Sequence, residues 1–323
     1  MRAVILEAYG PPENLKLVEV PIPEPKDDEV LIKVQAASVI FADSMVRRGV
    51  YIRQLASPPF IPGREVTGTI EKGGTGVKNI KLGTRVAASV LTGGYAEYTT
   101  ASVKNIVYLP ERVSFLQGLV YLTNLRIAYL AYYVFGQIQP MDTILLHAPA
   151  GGVGTLITQI AKRQANNVVI ALSSSREKLE YCLANGADYG VNYKTLDYVE
   201  EVLHLTGGKG VDVSLNSVSG PTLEKDPYVI KPLGRWVIYG VAAGYGTIDP
   251  QKMIAAKSLT VIHFSVYSVL EREEYRQATK FLENWLHTEE LISVSKTFPF
   301  EEVAAAHHWI DKQHSVGKIA LVV

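Results

Sequence analysis

The sequence predicts an α/β protein in which a β-rich domain is interrupted by a doubly wound parallel sheet. Residues 1–118 contain short apolar or alternating runs separated by Pro, Gly and charge clusters. From residue 119 strand-like and helix-like runs alternate at βαβ spacing. After residue 264 the chain returns to one helix and two short strands, expected to complete the first domain. The expected division is therefore residues 1–118 with 264–323, around an inserted domain of residues 119–263.

The elements follow in order. MRAVILEA, DEVLIKVQAASV, TGTIEKG and TRVAASV read as strands, with PIPEPKDDE as a breaker between the first two. LVYLTNLRIAYLAYYVF, residues 119–135, predicts one long helix. TILLHA then opens a parallel sheet, followed by strand NVVIAL, helix SREKLEYCLANG, strand GVDVSLNSV, a less regular segment, and strand RWVIYG. Right-handed crossovers are expected between the strands. EREEYRQATKFLENWLHT predicts a helix, SVSKTFPF a short strand and KIALVV the closing strand.

Composition excludes several functional classes. The 323 residues are 47% hydrophobic, and 32 basic side chains balance 32 acidic ones. No Lys/Arg stripe suits a nucleic-acid backbone, so no nucleic-acid partner is expected. No apolar run reaches the roughly 18 residues that span a bilayer, and no cleavable signal segment is evident, so no membrane partner is expected. Cys182 is the only cysteine, which rules out an internal disulfide and a cysteine zinc cluster. A reducing, cytoplasmic location is expected.

TILLHAPAGGVGTLITQIAKR carries the first functional signal. Ala150, Gly151, Gly152, Val153 and Gly154 lie between a strand and a helix, with a second strand following. That is the context of a dinucleotide fingerprint, although the spacing is AxxGGVG rather than GxGxxG. One glycine permits the tight turn, another lets a pyrophosphate reach the backbone, and Gly154 lets helix and strand pack closely; the first helical N–H groups then face the anion. An NAD site carries Asp or Glu about 20 residues further on. Here the second strand ends in Ser173, Ser174, Ser175 and Arg176, with Lys178 close behind. Hydroxyl and cationic donors without a carboxylate suit a 2′-phosphate, so NADPH is the expected cofactor. Tyr193 is placed to pack beside the same phosphate.

At AxxGGVG the chain resembles the zinc-free medium-chain dehydrogenase/reductases, comprising quinone oxidoreductases of the zeta-crystallin type and related enoyl reductases. The resemblance runs from MRAVILEAYGPPENLKL through GTRVAA, GGYAEY and NGADYGVNY to GKIALVV. It implies a GroES-like catalytic domain built from both chain ends around a Rossmann domain, with the active-site cleft between them. It also implies that Asn216, Gly240 and Lys318 are cofactor-binding residues. Zinc enzymes share this fold, but their GHE-type motif reads Gly63, Arg64 and Glu65 here, with Arg in place of the ligand His. One cysteine and scattered histidines supply no zinc set, so no metal is expected.

Metal-free hydride attack needs an acceptor that is already polarised, such as an enoyl thioester or a quinone. Tyr51, in a G-x-Y context, occupies the position of the tyrosine that enoyl reductases of this fold use near substrate. GVDVSLNSVSG resembles the GVDVVLNSLxG of polyketide enoyl reductases, and Phe41 and Asp43 match their NFRD segment. Lys178 and Asp197 fall where those enzymes carry proposed proton donors. The N-terminal half and NGADYGVNY resemble free-standing quinone reductases as strongly. Ile40, Met45, Asn124 and Ile127 depart from the family's Asn, Tyr, Pro and Thr, which points to a specialised pocket.

The leading expectation is an NADPH-dependent enoyl-thioester reductase of polyketide type, excised from a synthase or free-standing. Its substrate would be carried on coenzyme A or acyl carrier protein. The alternatives are an NADPH:quinone oxidoreductase, a curacin-type variant that closes a cyclopropane on a halogenated enoyl chain, and a crystallin-like NADPH binder without turnover. Monomer and homodimer both remain open.

Overall fold

The computed structural model describes residues 1–51, 56–312 and 315–323, with the backbone alone at residues 252–254. In chain order the strands are β1 (Arg2–Leu6), β2 (Leu15–Glu19), β3 (Glu29–Val39), β4 (Glu65–Gly73), β5 (Arg85–Ser89), β6 (Tyr98–Ser102), β7 (Ile106–Tyr108), β8 (Thr143–His147), β9 (Val168–Ser173), β10 (Tyr189–Asn192), β11 (Val211–Asn216), β12 (Ile230–Ile238), β13 (Thr260–His263), β14 (Lys296–Pro299) and β15 (Ile319–Val322). The α-helices are α1 (Phe41–Arg47), α2 (Phe115–Tyr121), α3 (Asn124–Tyr129), α4 (Gly152–Ile160), α5 (Arg176–Ala184), α6 (Tyr198–Leu205), α7 (Thr222–Val229), α8 (Glu273–Thr288) and α9 (Val303–Asp311). The chain forms two compact units, residues 1–123 with 282–323 and residues 124–281.

The helix expected over 119–135 is broken. α2 ends at Tyr121, α3 begins at Asn124, and residues 130–135 continue as a π-helix. The apolar periodicity runs through the break, but the two helices belong to different compact units. Tertiary packing therefore overrides a continuous local preference.

In the first unit the sheet order is β14-β15-β3-β4-β5-β7, with β6 also pairing β3. β15 joins β3 antiparallel, Ile319 opposite Val39, so both chain ends contribute to one sheet. Alternation along β3 turns Val30, Ile32 and Val34 into a core shared with Val66, Ile70, Val86 and Leu321. Beside that core runs a buried polar chain. Arg47 Nε donates to His307 Nδ1 at 3.3 Å, and His307 Nε2 lies 3.3 Å from the Tyr95 hydroxyl. That hydroxyl donates to Asp43 Oδ2 at 3.1 Å, as does the Ile40 N–H at 3.0 Å. With Tyr95 donating to Asp43, the consistent histidine is neutral with its proton on Nε2. His308, one residue on, instead meets Glu13 at 2.7 Å on the surface.

Burial pushes the Asp43 carboxyl up to about 6, against the opposing charge of Arg64. Burial, then the Arg47 charge, pushes His307 down to about 3. The two act oppositely on stability. Asp43 holds a proton more tightly folded than unfolded, so its contribution is lost as pH rises from about 4 through 6. His307 takes up a proton more readily when unfolded, so stability is lost as pH falls from 6.5 toward 3. Asp43→Asn should therefore gain on the unmodified protein as pH rises from 4 to 7, by roughly 2–3 kcal/mol. Urea denaturation at several pH values across that interval checks it; a constant difference would show that Asp43 does not titrate there.

In the second unit six parallel strands run in the order β10-β9-β8-β11-β12-β13. Counted within the unit this is 3-2-1-4-5-6, with the strand order reversing between β8 and β11. Leu145, Ile170, Leu215, Trp236 and Ile238 fill the buried sheet interior. The segment that reads as irregular in sequence is α7, with Pro227 inside it. It carries Asp226, which is fully buried. Its Oδ1 accepts from Tyr198 at 2.8 Å and pairs with His147 Nε2 at 2.9 Å. Its Oδ2 accepts from Ser214 and Asn216 at 2.8 Å and from Trp236 Nε1 at 3.0 Å. Burial works to raise the Asp226 pKa, yet the His147 charge and these donors hold it below the usual carboxylate range. In Asp226→Asn an N–H₂ would oppose donors that now converge on the carboxylate. The cost should be about 3–5 kcal/mol, read from chemical denaturation of the variant. A change below about 1 kcal/mol, the net worth of a single ordinary hydrogen bond, would rule out this hub.

Candidate functional site

The glycine turn starts where β8 ends, at His147, whose ring is held by Asp226. Ala148 takes a positive φ of 47°, and Gly151 N–H donates to its carbonyl at 3.0 Å. α4 then starts at Gly152, with Gly151 as N-cap. Gly151 has no side chain to cap the first turn, so no side-chain acceptor at the N-cap competes with a ligand there. A Cβ at Gly154 would lie 2.6 Å from both the Ala148 carbonyl oxygen and Pro149 Cα. The close approach at Gly154 is thus to the turn itself. A Cβ at Gly152 would lie 2.3 Å from Asn124 Nδ2 on α3. Ala150 is buried in the turn, and Val153 is partly exposed.

At the end of β9, Ser173 is buried and Ser174 half-buried. Ser175 is the N-cap of α5, accepting from Lys178 N at 3.4 Å. Arg176 is exposed and pairs with Glu180 at 2.7 Å. Lys178 is half-buried, and burial followed by the charge of Lys194 lowers its pKa. Lys178 and Lys194 therefore lie close enough to feel each other's charge. Tyr193 N–H donates to the Ser173 carbonyl at 3.1 Å, tying the loop after β10 to this strand end. Asp197 caps α6 through Val199 N at 2.9 Å and pairs with Lys225 at 3.4 Å.

Asn216 has no exposed surface. Its Oδ1 accepts from Val218 N at 2.9 Å and Ser219 N at 2.8 Å, while Nδ2 serves Thr222 and Asp226. The side chain shapes the turn after β11. Gly240 lies against that turn, where a Cβ would come 2.5 Å from the Ser217 carbonyl, and its own carbonyl accepts from Ser219 Oγ at 2.6 Å. The strand ends next to the order reversal are held by side chains that bond one another.

Tyr51 and Lys318 belong to the first unit. Arg64 Nη1 donates to the Tyr51 hydroxyl oxygen at 3.2 Å, and its guanidinium carbon sits 5.2 Å from the Tyr51 ring centre. Lys318 is buried in an ion pair with Glu65, which also accepts from Ser38 at 2.7 Å. Burial works to raise the Glu65 pKa, but Lys318 and the Thr123 and Ser38 hydroxyls bring it below the usual range. These residues do not fit zinc. Arg64 is a cation and a donor, Glu65 is neutralised by Lys318, and Cys182 lies in the second unit on α5, its thiol pushed up to about 12 by burial. His314 lies outside the described residues.

In the sequence Arg64 reads only as a lost metal ligand and Asn124 only as a departure from the family. Asp226 carries no such signal in the sequence, because Pro227 beside it breaks the helical pattern.

Two domain types and a nucleotide-type turn define a medium-chain dehydrogenase/reductase. Residues 26–111 match the family model of the alcohol dehydrogenase GroES-like domain, and residues 152–284 that of zinc-binding dehydrogenase. The human quinone oxidoreductase is 32% identical over 100% of this chain and 98% of its own length. An Escherichia coli quinone oxidoreductase complexed with NADPH superposes with a TM-score of 0.93 at 27% identity, covering 100% of both chains. The CurK enoyl reductase superposes with a TM-score of 0.88 at 27% identity, covering 99% of this chain and 98% of its own. The chain belongs to the zinc-independent quinone oxidoreductase-type family of medium-chain dehydrogenases/reductases, and it is an oxidoreductase.

The Gly152–Asn124 contact makes a double-variant prediction. Gly152→Ala should destabilise the free protein by about 1–3 kcal/mol through overpacking. Adding Asn124→Ala should restore the loss, since alanine is otherwise the better helix residue. Thermal denaturation of the single and double variants decides it; equal losses in both would show that the amide is not the obstacle.

Proposed function

We propose that this protein is an NADPH-dependent reductase whose acceptor is an α,β-unsaturated thioester. The observation that carries this reading is Arg64, which occupies the position of a zinc ligand and donates to the Tyr51 hydroxyl. A metal site polarises a carbonyl directly. A tyrosine backed by a cation suits an acceptor whose conjugation already polarises it, and needs only to stabilise the oxyanion that hydride addition creates. NADPH supplies the hydride when bound. The glycine turn and the uncapped start of α4 would hold its pyrophosphate. Ser174, Lys178 and Arg176 would hold its 2′-phosphate, with Tyr193 alongside. Lys178 is assigned to that phosphate and Asp197 to the cap of α6, so neither is assigned as proton donor. Asn216 and Gly240 act by shaping the loops, and Lys318 by securing Glu65.

GVDVSLNSVSG and the likeness to the CurK enoyl reductase support an enoyl thioester, carried on coenzyme A or an acyl carrier protein. A quinone is the second reading, supported by the human quinone oxidoreductase being related along the whole chain. Oxidation of NADPH with enoyl thioesters, a γ-chloro-enoyl thioester and quinones, with products identified by mass, separates these readings and detects ring closure. Turnover of quinones alone would defeat the thioester reading.

NADPH should bind more tightly than NADH, and Lys178→Ala should weaken NADPH by about tenfold or more while leaving NADH nearly unchanged. Fluorescence titration with both cofactors measures this; equal affinities in the unmodified protein would remove the case for a 2′-phosphate site. Tyr51→Phe should slow saturation of the double bond, by less than the roughly 10²–10⁴-fold usual for a general acid, because water can protonate the enolate. With a branched substrate it should alter configuration at the α-carbon, and NADPH affinity should not change. A large loss of that affinity would place Tyr51 against the cofactor instead.

A further inference from the structure

Asn124 is an amide on α3 with 8% of its surface exposed, and its Nδ2 has no hydrogen-bond partner among the described residues. Buried polar groups are normally paired, and an unpaired donor is costly. Its position is more telling than its burial. Nδ2 packs against the α-carbon of Gly152, where a Cβ would stand only 2.3 Å away. Gly152 is the first residue of α4, a helix of nine residues whose N-cap, Gly151, supplies no side-chain acceptor. An amide N–H₂ beside a helix N-terminus sets donors next to donors, at the positive end of the helix dipole. Among the described residues no acceptor takes the Nδ2 donor in that arrangement. An anion at the turn would relieve it, accepting from the first-turn amides and from Nδ2 together.

We propose that Asn124 is a cofactor-binding residue, donating from Nδ2 to the diphosphate of the dinucleotide at the start of α4. The proposal rests on the dinucleotide reading above and adds to it a donor from outside the glycine turn. It also gives Gly152 a second reason to lack a side chain. The glycine must admit the amide as well as the phosphate, so Asn124 and Gly152 act as a pair.

The test is calorimetric or fluorescence titration of the intact protein with NADPH, NADH and 2′-AMP, which carries the 2′-phosphate but no diphosphate. Asn124→Ala should weaken NADPH and NADH by a similar factor, about tenfold, and leave 2′-AMP unchanged. Asn124→Asp, of the same size, should weaken both dinucleotides further because its carboxylate repels the diphosphate, and it carries the test should the alanine variant fail to fold. Lys178→Ala should give the opposite selectivity, weakening NADPH and 2′-AMP but not NADH. Dinucleotide affinities within about twofold of the unmodified protein in Asn124→Ala or Asn124→Asp would overturn the role of Asn124 while leaving the dinucleotide reading intact. A parallel loss of 2′-AMP would overturn it too, as a general distortion of the unit. Failure of the unmodified protein to bind either dinucleotide would overturn both readings.

Discussion

The second unit depends on one buried carboxylate. Asp226 draws donors from β8, β11, β12 and the first residue of α6 onto a single helix residue, and β8 and β11 flank the reversal of strand order. A parallel sheet aligns its strands through the backbone, but the backbone ladder stops where the strands stop. Beyond that point loop positions need side-chain anchors. Asp226 provides them through Asn216, whose other atoms set the turn after β11, and through His147, the last residue before the glycine turn. The arrangement is expensive to desolvate and strongly destabilised by the loss of any partner, which suits a framework that must hold loops in one place.

The first unit solves a related electrostatic problem differently. Its buried charges lie in two groups, Asp43 with Tyr95, His307 and Arg47, and Glu65 with Lys318. In the first, a neutral histidine and a tyrosine carry hydrogen bonding between a cation and a carboxyl. In the second, cation and anion meet directly. The charge of Arg64 acts on Asp43, and its guanidinium donates to Tyr51. In the proposed chemistry a guanidinium stands where zinc members of the fold carry a ligand, so hydrogen bonding and charge would replace Lewis-acid polarisation.

The two proposed halves of the chemistry draw on different forces. Nucleotide recognition in the second unit rests on helix-end amides, amines and one buried amide, all aimed at phosphate. Substrate chemistry in the first rests on a hydroxyl whose oxygen is held by a cation. Phosphate recognition is a matter of charge and of donors placed in advance. Oxyanion stabilisation depends on a group that stays protonated until the acceptor develops charge.

Much of this was legible in the sequence. Hydrophobic alternation and the strand–glycine–helix order determined the β-rich texture, the parallel sheet and the glycine turn, because these are local patterns imposed by side-chain period and backbone freedom. The single cysteine and the Arg at position 64 likewise argue against a zinc ligand set by residue type alone. Tertiary structure alone decided what distant residues do to one another. It broke the 119–135 helix in two, turned a proline-interrupted segment into α7, spent Lys318 on Glu65 and set Asn124 against Gly152. None of these has a local signature, since each results from burial and from partners far away in the chain, and a sequence records which groups are present but not which of them are driven together out of water.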